Sequence, residues 1–179
     1  AQFYNGPITL TDNTSLNASG GNAWEGYINL SAINGAYSLS VNTGDWANFF
    51  GAVGATTPLA SITVTGGPIW IHSNVSTSGN QSYTFWRLEL ITASTLSTTT
   101  GNITIAAEVG SAGSTPLNLS LNAGTGAINI NSSIGTYGTG IGAFSATAGG
   151  GINLRNNITT KGIQSYNSPV NLLGDITIS

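Results

Sequence analysis

The sequence predicts an all-β fold in which the chain winds as a single-stranded parallel β-helix, or β-solenoid, of about 20 residues per coil. Three observations carry that prediction. Short segments alternate apolar and polar residues, as strands with one buried face do. The chain repeats itself over long periods, and its strand starts keep a regular shorter beat.

Alternation runs the whole length of the chain. Ile8-Thr9-Leu10, Ile28-Asn29-Leu30, Leu39-Ser40-Val41, Ile62-Thr63-Val64 and Ile69-Trp70-Ile71 lead the first part. Ile103-Thr104-Ile105, Leu117-Asn118-Leu119-Ser120-Leu121, Ile128-Asn129-Ile130, Ile152-Asn153-Leu154 and Ile176-Thr177-Ile178 follow. Turn clusters such as Ala18-Ser19-Gly20-Gly21, Asn42-Thr43-Gly44 and Ala148-Gly149-Gly150-Gly151 separate them. No apolar residues recur at helical spacing over several turns, so no helix is expected.

The long repeat joins the two ends. Gln2-Phe3-Tyr4-Asn5-Gly6-Pro7-Ile8-Thr9-Leu10 returns as Gln164-Ser165-Tyr166-Asn167-Ser168-Pro169-Val170-Asn171-Leu172, at an offset of 164 − 2 = 162. That period divides near its middle. Leu39 to Gly44 matches Leu119 to Gly124 at 119 − 39 = 80, and Gln81-Ser82-Tyr83 matches Gln164-Ser165-Tyr166 at 164 − 81 = 83. The whole of 1–179 therefore reads as one solenoid segment, with half-repeats of about 80 residues at 1–80 and 81–163, and 164–179 opening the next period. Within the first half, Ile8, Ile28, Phe49, Ile69 and Leu88 start strands at spacings of 20, 21, 20 and 19. Nine such coils at roughly 4.8 Å would form a rod of about 43 Å. A β-sandwich also has many short strands, but nothing in that fold calls for internal repetition.

Composition narrows the partners. Only 5% of residues are charged, Arg87, Arg155 and Lys161 are the strong bases, and the net charge is −3. Nucleic acids and anionic membranes are bound through clustered Lys and Arg, so neither is an expected partner. With no Cys, neither disulfides nor thiolate metal sites enter the expected fold. No run of about 20 apolar residues predicts a membrane-spanning helix. Abundant Asn, Ser, Thr and Gly, few charges and no Met suit a processed, exported bacterial protein.

The segment Ala52 to Thr65, the stretch Leu119 to Ile128 and the two Gln-x-Tyr-Asn motifs at the ends resemble the repeats of filamentous-haemagglutinin-like exoproteins of bacteria. The resemblance covers most of the chain and is weakest around Trp24 and from Tyr83 to Glu89. It implies a right-handed coil, and a place in a large secreted or surface-anchored protein built from many such repeats. Adhesins and extracellular fibres make up that family, and its repeats usually serve as the stalk.

Candidate chemistry is sparse. The acids are Asp12, Glu25, Asp45, Glu89, Glu108 and Asp175, and no two share a short motif. Only Glu25 and Asp45 fall in phase on the expected coil, and decoration of adjacent surface turns is the reading preferred over a glycosidase acid pair. His72 is the sole histidine, and alternation places it outward and exposed, beside Trp70. The calcium-binding nonapeptide of some solenoids is absent. Thr63 and Thr65 suggest a flat threonine face, but the outer column is taken to include Asn29 and Trp70, which interrupt it. No catalytic, cofactor or metal residues are expected, and the chain does not read as an enzyme.

Aromatic residues are more informative. Trp24, Trp46, Trp70 and Trp86 follow one another at spacings of 22, 24 and 16, near one coil each. Trp70 should point outward between inward Ile69 and Ile71, and exposed Trp commonly marks a contact. A sugar-stacking strip and a lateral seam between solenoids are the two contact readings. The plainer alternative has Trp24, Trp46 and Trp86 covering the core at coil corners.

These observations lead to one expected function and one alternative. The expected function is a non-enzymatic structural repeat of a long extracellular bacterial fibre or adhesin stalk, associating with itself end to end or laterally, or with further repeats of its own chain. Neither terminal segment reads as a cap, so open strand edges are expected at both ends. The alternative is a carbohydrate-binding β-helix module that presents its tryptophan strip to host or matrix glycans.

Overall fold

The computed structural model describes residues 1–20 and 25–179. All regular elements among them are strands, and every pairing is parallel. The strands stack as a β-solenoid of about seven turns, roughly 23 residues apart. Each coil contributes one short strand to each of three faces, which we label A, B and C in the order the chain meets them.

The inward residues of each face form a column through the molecule. On face A the ladder runs Gln2, Ile28, Ala47, Ile69, Leu88, Val109, Ile134, Ile158, Ile178. On face B it runs Ile8, Ile33, Val53, Val75, Leu96, Leu121, Ala146, Tyr166. Face C carries Leu16, Val41, Val64, Tyr83, Ile105, Ile130, Leu154, Leu172. Alternation explains the outcome: every second side chain enters a core shared by all three faces, where these residues are almost wholly buried except in the terminal coils.

Two expectations about the coil are corrected. The expected beat mixed faces, because Ile8 pairs with Ile33 on face B whereas Ile28 pairs with Gln2 and Ala47 on face A. Counted within face A, the first steps in numbering are 28 − 2 = 26, 47 − 28 = 19 and 69 − 47 = 22. Longer coils mean fewer of them. About seven turns replace the expected nine, and seven steps of about 4.8 Å give a stack of about 34 Å. The segment Ile176-Thr177-Ile178, expected as a strand, makes a single bridge from Ile178 to Ile158.

The turns show why Asn is so common. In several coils an asparagine Oδ1 accepts a backbone N–H from the coil above. Asn13 takes that of Ser38 at 2.9 Å, Asn74 that of Thr95 at 2.8 Å, Asn102 that of Ala127 at 2.8 Å and Asn118 that of Ala143 at 2.7 Å. These bonds satisfy donors that the strand ladder leaves open where the chain turns. Glycine serves the same corners differently. A Cβ on Gly126 would lie 1.8 Å from the Gly101 carbonyl oxygen, and one on Gly101 would meet the backbone of Gly79 at 2.1 Å. The coils there approach too closely for any side chain.

The repeated Gln-x-Tyr motif forms a latch inside the coil. The Tyr83 hydroxyl donates to Gln81 Oε1 at 2.9 Å, while Gln81 Nε2 donates across the coil to the Ser97 carbonyl at 2.6 Å. Tyr166 and Gln164 repeat it at 2.7 Å with Ser179 as the acceptor at 2.8 Å, and Tyr4 and Gln2 at 3.1 Å with Asn17 at 2.8 Å. The three copies occupy different faces: Gln2 on A, Gln81 on C and Gln164 on B. Burial raises the Tyr83 phenol far above its ordinary value and pushes Tyr166 up to about 12.

The latch can be tested in two ways. Tyr83→Phe leaves the buried Gln81 Oε1 without its donor and should cost about 1–3 kcal/mol in urea unfolding, whereas Tyr4→Phe, in the half-covered first coil, should cost less. A change of equal size at both positions would count against the latch. The alkaline limit has a definite sign: the unfolded chain loses its tyrosine protons near pH 10, while Tyr166 holds its proton to about 12 in the fold. Stability should therefore be intact below pH 10 and fall as pH rises from there. Thermal midpoints across that range, compared with those of Tyr166→Phe, check it.

Candidate surface-contact site

Of the four tryptophans, Trp24 lies outside the described residues. The other three lie along one flank of face A, each held by a different device. Trp46 directly precedes the strand Ala47–Phe49, as Tyr27 directly precedes Ile28–Leu30 one coil earlier. Strand pairing brings these two positions together, and the rings stack with centroids 5.2 Å apart and planes 14° from parallel. Trp70 occupies the outward position of Ile69–Ile71 and meets Trp46 edge-on at 6.1 Å. Such contacts add about 0.5–1.5 kcal/mol beyond simple burial.

Trp70 is therefore outward but half-buried, not an isolated exposed indole. Its register partners are Asn48 below and Glu89 above. Trp70 Nε1 and Asn48 Oδ1 are buried and have no hydrogen-bond partner among the described residues. An asparagine ladder explains the mismatch. Asn48 donates its Nδ2 to Asn29 Oδ1, as Asn153 donates to Asn129 and Asn171 to Asn153 at 2.9 Å each. At residue 70 an indole interrupts the ladder and leaves the last carbonyl unanswered.

Trp86 is the exposed tryptophan, at 52%. It sits in a bulge, where Phe85 and Trp86 enter the long strand Gln81–Leu90 between Thr84 and Arg87 as that strand passes from face C to face A. The Arg87 guanidinium lies 4.2 Å from the Trp86 ring centroid and 4.9 Å from that of Tyr137, and donates to the Tyr137 hydroxyl. Arg87 Nε also lies 2.7 Å from Glu89 Oε1. Glu89 is 6% exposed, so the pair is largely withdrawn from water. Arg87 also pairs in register with Glu108 of the next coil, whose carboxylate accepts from Thr136.

Together these side chains form a band, Tyr27–Trp46–Trp70–Glu89–Arg87–Trp86/Tyr137. Its two ends are aromatic and its middle is a compensated ion pair. Alternation could have signalled Arg87 and Glu89, since both flank inward Leu88 at strand spacing. Nothing local in the sequence connects Tyr137 to Arg87, which lies 50 residues away.

Other candidate residues are placed as follows. His72 is half-buried rather than exposed: its ring packs 4.6 Å from that of Phe50, and burial lowers its pKa. Asp45 sits beside the preceding coil as the in-phase reading with Glu25 expected, and its Oδ2 accepts the Gly26 N–H at 3.0 Å. Among the described residues no three His, Cys, Asp or Glu side chains come together in a metal-ligating group. The outer column around Thr63 also needs correction. It contains neither Asn29 nor Trp70, which belong to face A. It runs Ser15, Ser40, Thr63, Ser82, Thr104, Asn129, Asn153, Asn171 on face C. Its flanks are tied from coil to coil by Ser61 to Ser38 at 2.9 Å and by Thr65 to the Asn42 amide oxygen at 3.3 Å, so hydroxyls on this face are partly engaged within the stack.

A surface depression of about 470 Å³ lies on face B, away from the tryptophans, lined by small polar residues including Thr95, Ser120 and Ser145, with Phe144 and Ile163. Ser120 and Ser145 bond to each other across it at 2.8 Å. The aromatic band has the stronger claim to a contact role, because it offers ring faces and a placed charge pair rather than self-satisfied hydroxyls.

No protein-family model, curated protein or solved structure matches the chain.

The band yields two mutational tests. Arg87→Met strands the Glu89 charge and should cost about 3–5 kcal/mol, whereas Arg87→Met combined with Glu89→Leu should recover most of that loss. Denaturant titration of both variants decides it; equal loss in the two would mean that the charge pair is incidental. Trp70→Asn loses the ring contact but continues the asparagine ladder to Asn48. It should fold with a stability change within about 1.5 kcal/mol.

Proposed function

We propose that this chain is a non-enzymatic structural repeat: a stalk segment of a long extracellular bacterial fibre or adhesin of the filamentous-haemagglutinin-like kind. One observation carries the reading. Three inward columns run through the coils at one residue per coil, from Ile28 to Ile158 on face A, from Ile33 to Ala146 on face B and from Val41 to Leu154 on face C. Such a stack gains length one coil at a time at constant cross-section, which suits a stalk.

The low charge supports the same reading, since a stacked rod brings every outer column into repeated contact with itself. Like charges at strand spacing would repel, and the outer column of face C instead carries Ser, Thr and Asn throughout. A tandem chain of two full periods should be longer than a single period by about 35 Å with an unchanged cross-section, taking about 4.8 Å for each added turn. Small-angle X-ray scattering measures both quantities. A two-period chain that folds back on itself, thickening without lengthening, would contradict the stalk.

The second reading is a carbohydrate-binding module, favoured by the exposed Trp86 ring beside Tyr137 and Arg87. Glycan-array binding that is lost in Trp86→Ala, with folding unchanged, would establish it alongside the stalk. Uniformly negative arrays leave the stalk alone.

A further inference from the structure

Two register irregularities follow one another up the stack, where the chain enters face A. In the strand Gln81–Leu90, Phe85 and Trp86 stand opposite the single residue Ala107. In the next pairing up, Gly135 and Thr136 are extra residues between Ile134, paired with Val109, and Tyr137, paired with Gly110. Gly135 and Gly138 take left-handed φ values of 84° and 61°. A Cβ on Gly110 would lie 2.1 Å from the Tyr137 carbonyl oxygen. Glycine thus lets the upper strand bend and settle closely onto the one below.

The two irregularities together make a platform that a regular coil would not. Trp86 and Tyr137 belong to strands two coils apart, about 9.6 Å at strand spacing. Their rings nevertheless meet edge-on with centroids 6.3 Å apart, across the coil of Ala107 and Glu108. Arg87 lies over both rings and is committed to Glu89 and to the Tyr137 hydroxyl. The guanidinium braces the indole from within the fold, while half of Trp86 stays open to water. Glu108, the register partner of Arg87, is half-buried beside them. Thr136 donates to its carboxylate and shares a 2.8 Å hydroxyl bond with Ser133. Among the described residues no basic group forms an ion pair with Glu108.

These groups define a ligand chemistry. A pyranose ring offers C–H bonds on its face and hydroxyls at its rim. An exposed aromatic ring covers the first, and a carboxylate accepts strong, charge-assisted hydrogen bonds from the second. An anionic sugar would need a free cation, and Arg87 is already committed. A sugar carboxylate would instead meet the like charge of Glu108. We propose that the Trp86–Tyr137 platform binds a neutral pyranose of a glycan chain, with Glu108 as the specificity residue that accepts its hydroxyls and turns acidic sugars away. The proposal rests on the carbohydrate-binding reading of this same site and adds the class of sugar and the residue that selects it.

Calorimetric titration of the whole chain tests it. The probes are oligosaccharides of equal length: neutral glucan, mannan and galactan, and acidic polygalacturonate and polyglucuronate. At least one neutral chain should bind about tenfold more tightly than either acidic one. Trp86→Ala, a change in a surface bulge, should weaken that binding about tenfold and leave the circular dichroism spectrum unchanged. Glu108→Gln keeps the shape but removes the charge, and should narrow the preference for neutral over acidic chains to about threefold or less. Tyr37→Ala, which removes a 39% exposed ring at the corner between faces B and C, should bind as the parent does. Tightest binding of an acidic chain, still lost in Trp86→Ala, would overturn the charge selection and leave the carbohydrate reading in place. An unchanged preference in Glu108→Gln would overturn the role of Glu108, and undiminished binding in Trp86→Ala would overturn the platform. If no probe binds, the carbohydrate reading falls together with this proposal, whereas the stalk reading stands separately on the length of the tandem chain.

Discussion

The rest of this structure depends on the parallel backbone ladder between successive coils. Each strand must find hydrogen-bond partners in the coil below and the coil above, and must do so on three faces at once. Coil outline is thereby constrained: residues can be added at corners but not within a strand without shifting a column. The bulge at Phe85–Trp86 obeys the same constraint. Phe85 and Trp86 together stand opposite the single residue Ala107, one residue in excess, and pairing resumes at Arg87 with the register moved by one.

Stacking identical positions makes each column a one-dimensional array, and this explains the composition. Inward columns repeat Ile, Leu and Val because branched side chains pack well on their own kind at strand spacing. Outward columns are built from amides and hydroxyls that bond to their neighbours, as Asn129, Asn153 and Asn171 do. Corner asparagines take the backbone donors that turning exposes. Charge is scarce in such a lattice, and the largely buried Glu89 is compensated by Arg87. The Gln-x-Tyr latch is the notable polar intrusion into the core. It closes one coil across its own width and so ties the faces to one another.

Much of the fold was legible in the sequence. Ile69-Trp70-Ile71 and Ile152-Asn153-Leu154 announce inward and outward residues directly, because alternation is a local property. The coil length was less legible. Ile8 and Ile28 look like successive copies of one strand, and only pairing shows that they stand on different faces. The same ambiguity assigned Thr63 to the column of Trp70. The contact band was partly readable: its tryptophans stand out, but their mutual packing, the burial of Glu89 and the approach of Tyr137 to Arg87 depend on which coils are adjacent. His72 was expected in water because alternation sets its direction, whereas Phe50 on the neighbouring coil covers it.

The central claim is that residues far apart in sequence stand in straight columns at constant spacing. Ser15, Thr104 and Asn171 occupy one outer column on face C, four and seven steps apart. Pairs of spin labels at 15 and 104, and at 15 and 171, measured by electron double resonance, test it most directly. The account predicts separations of about 19 Å and about 34 Å, in the ratio of the step counts at about 4.8 Å per step. Separations that fail to grow in that proportion, as in two sheets folded face to face, would contradict it.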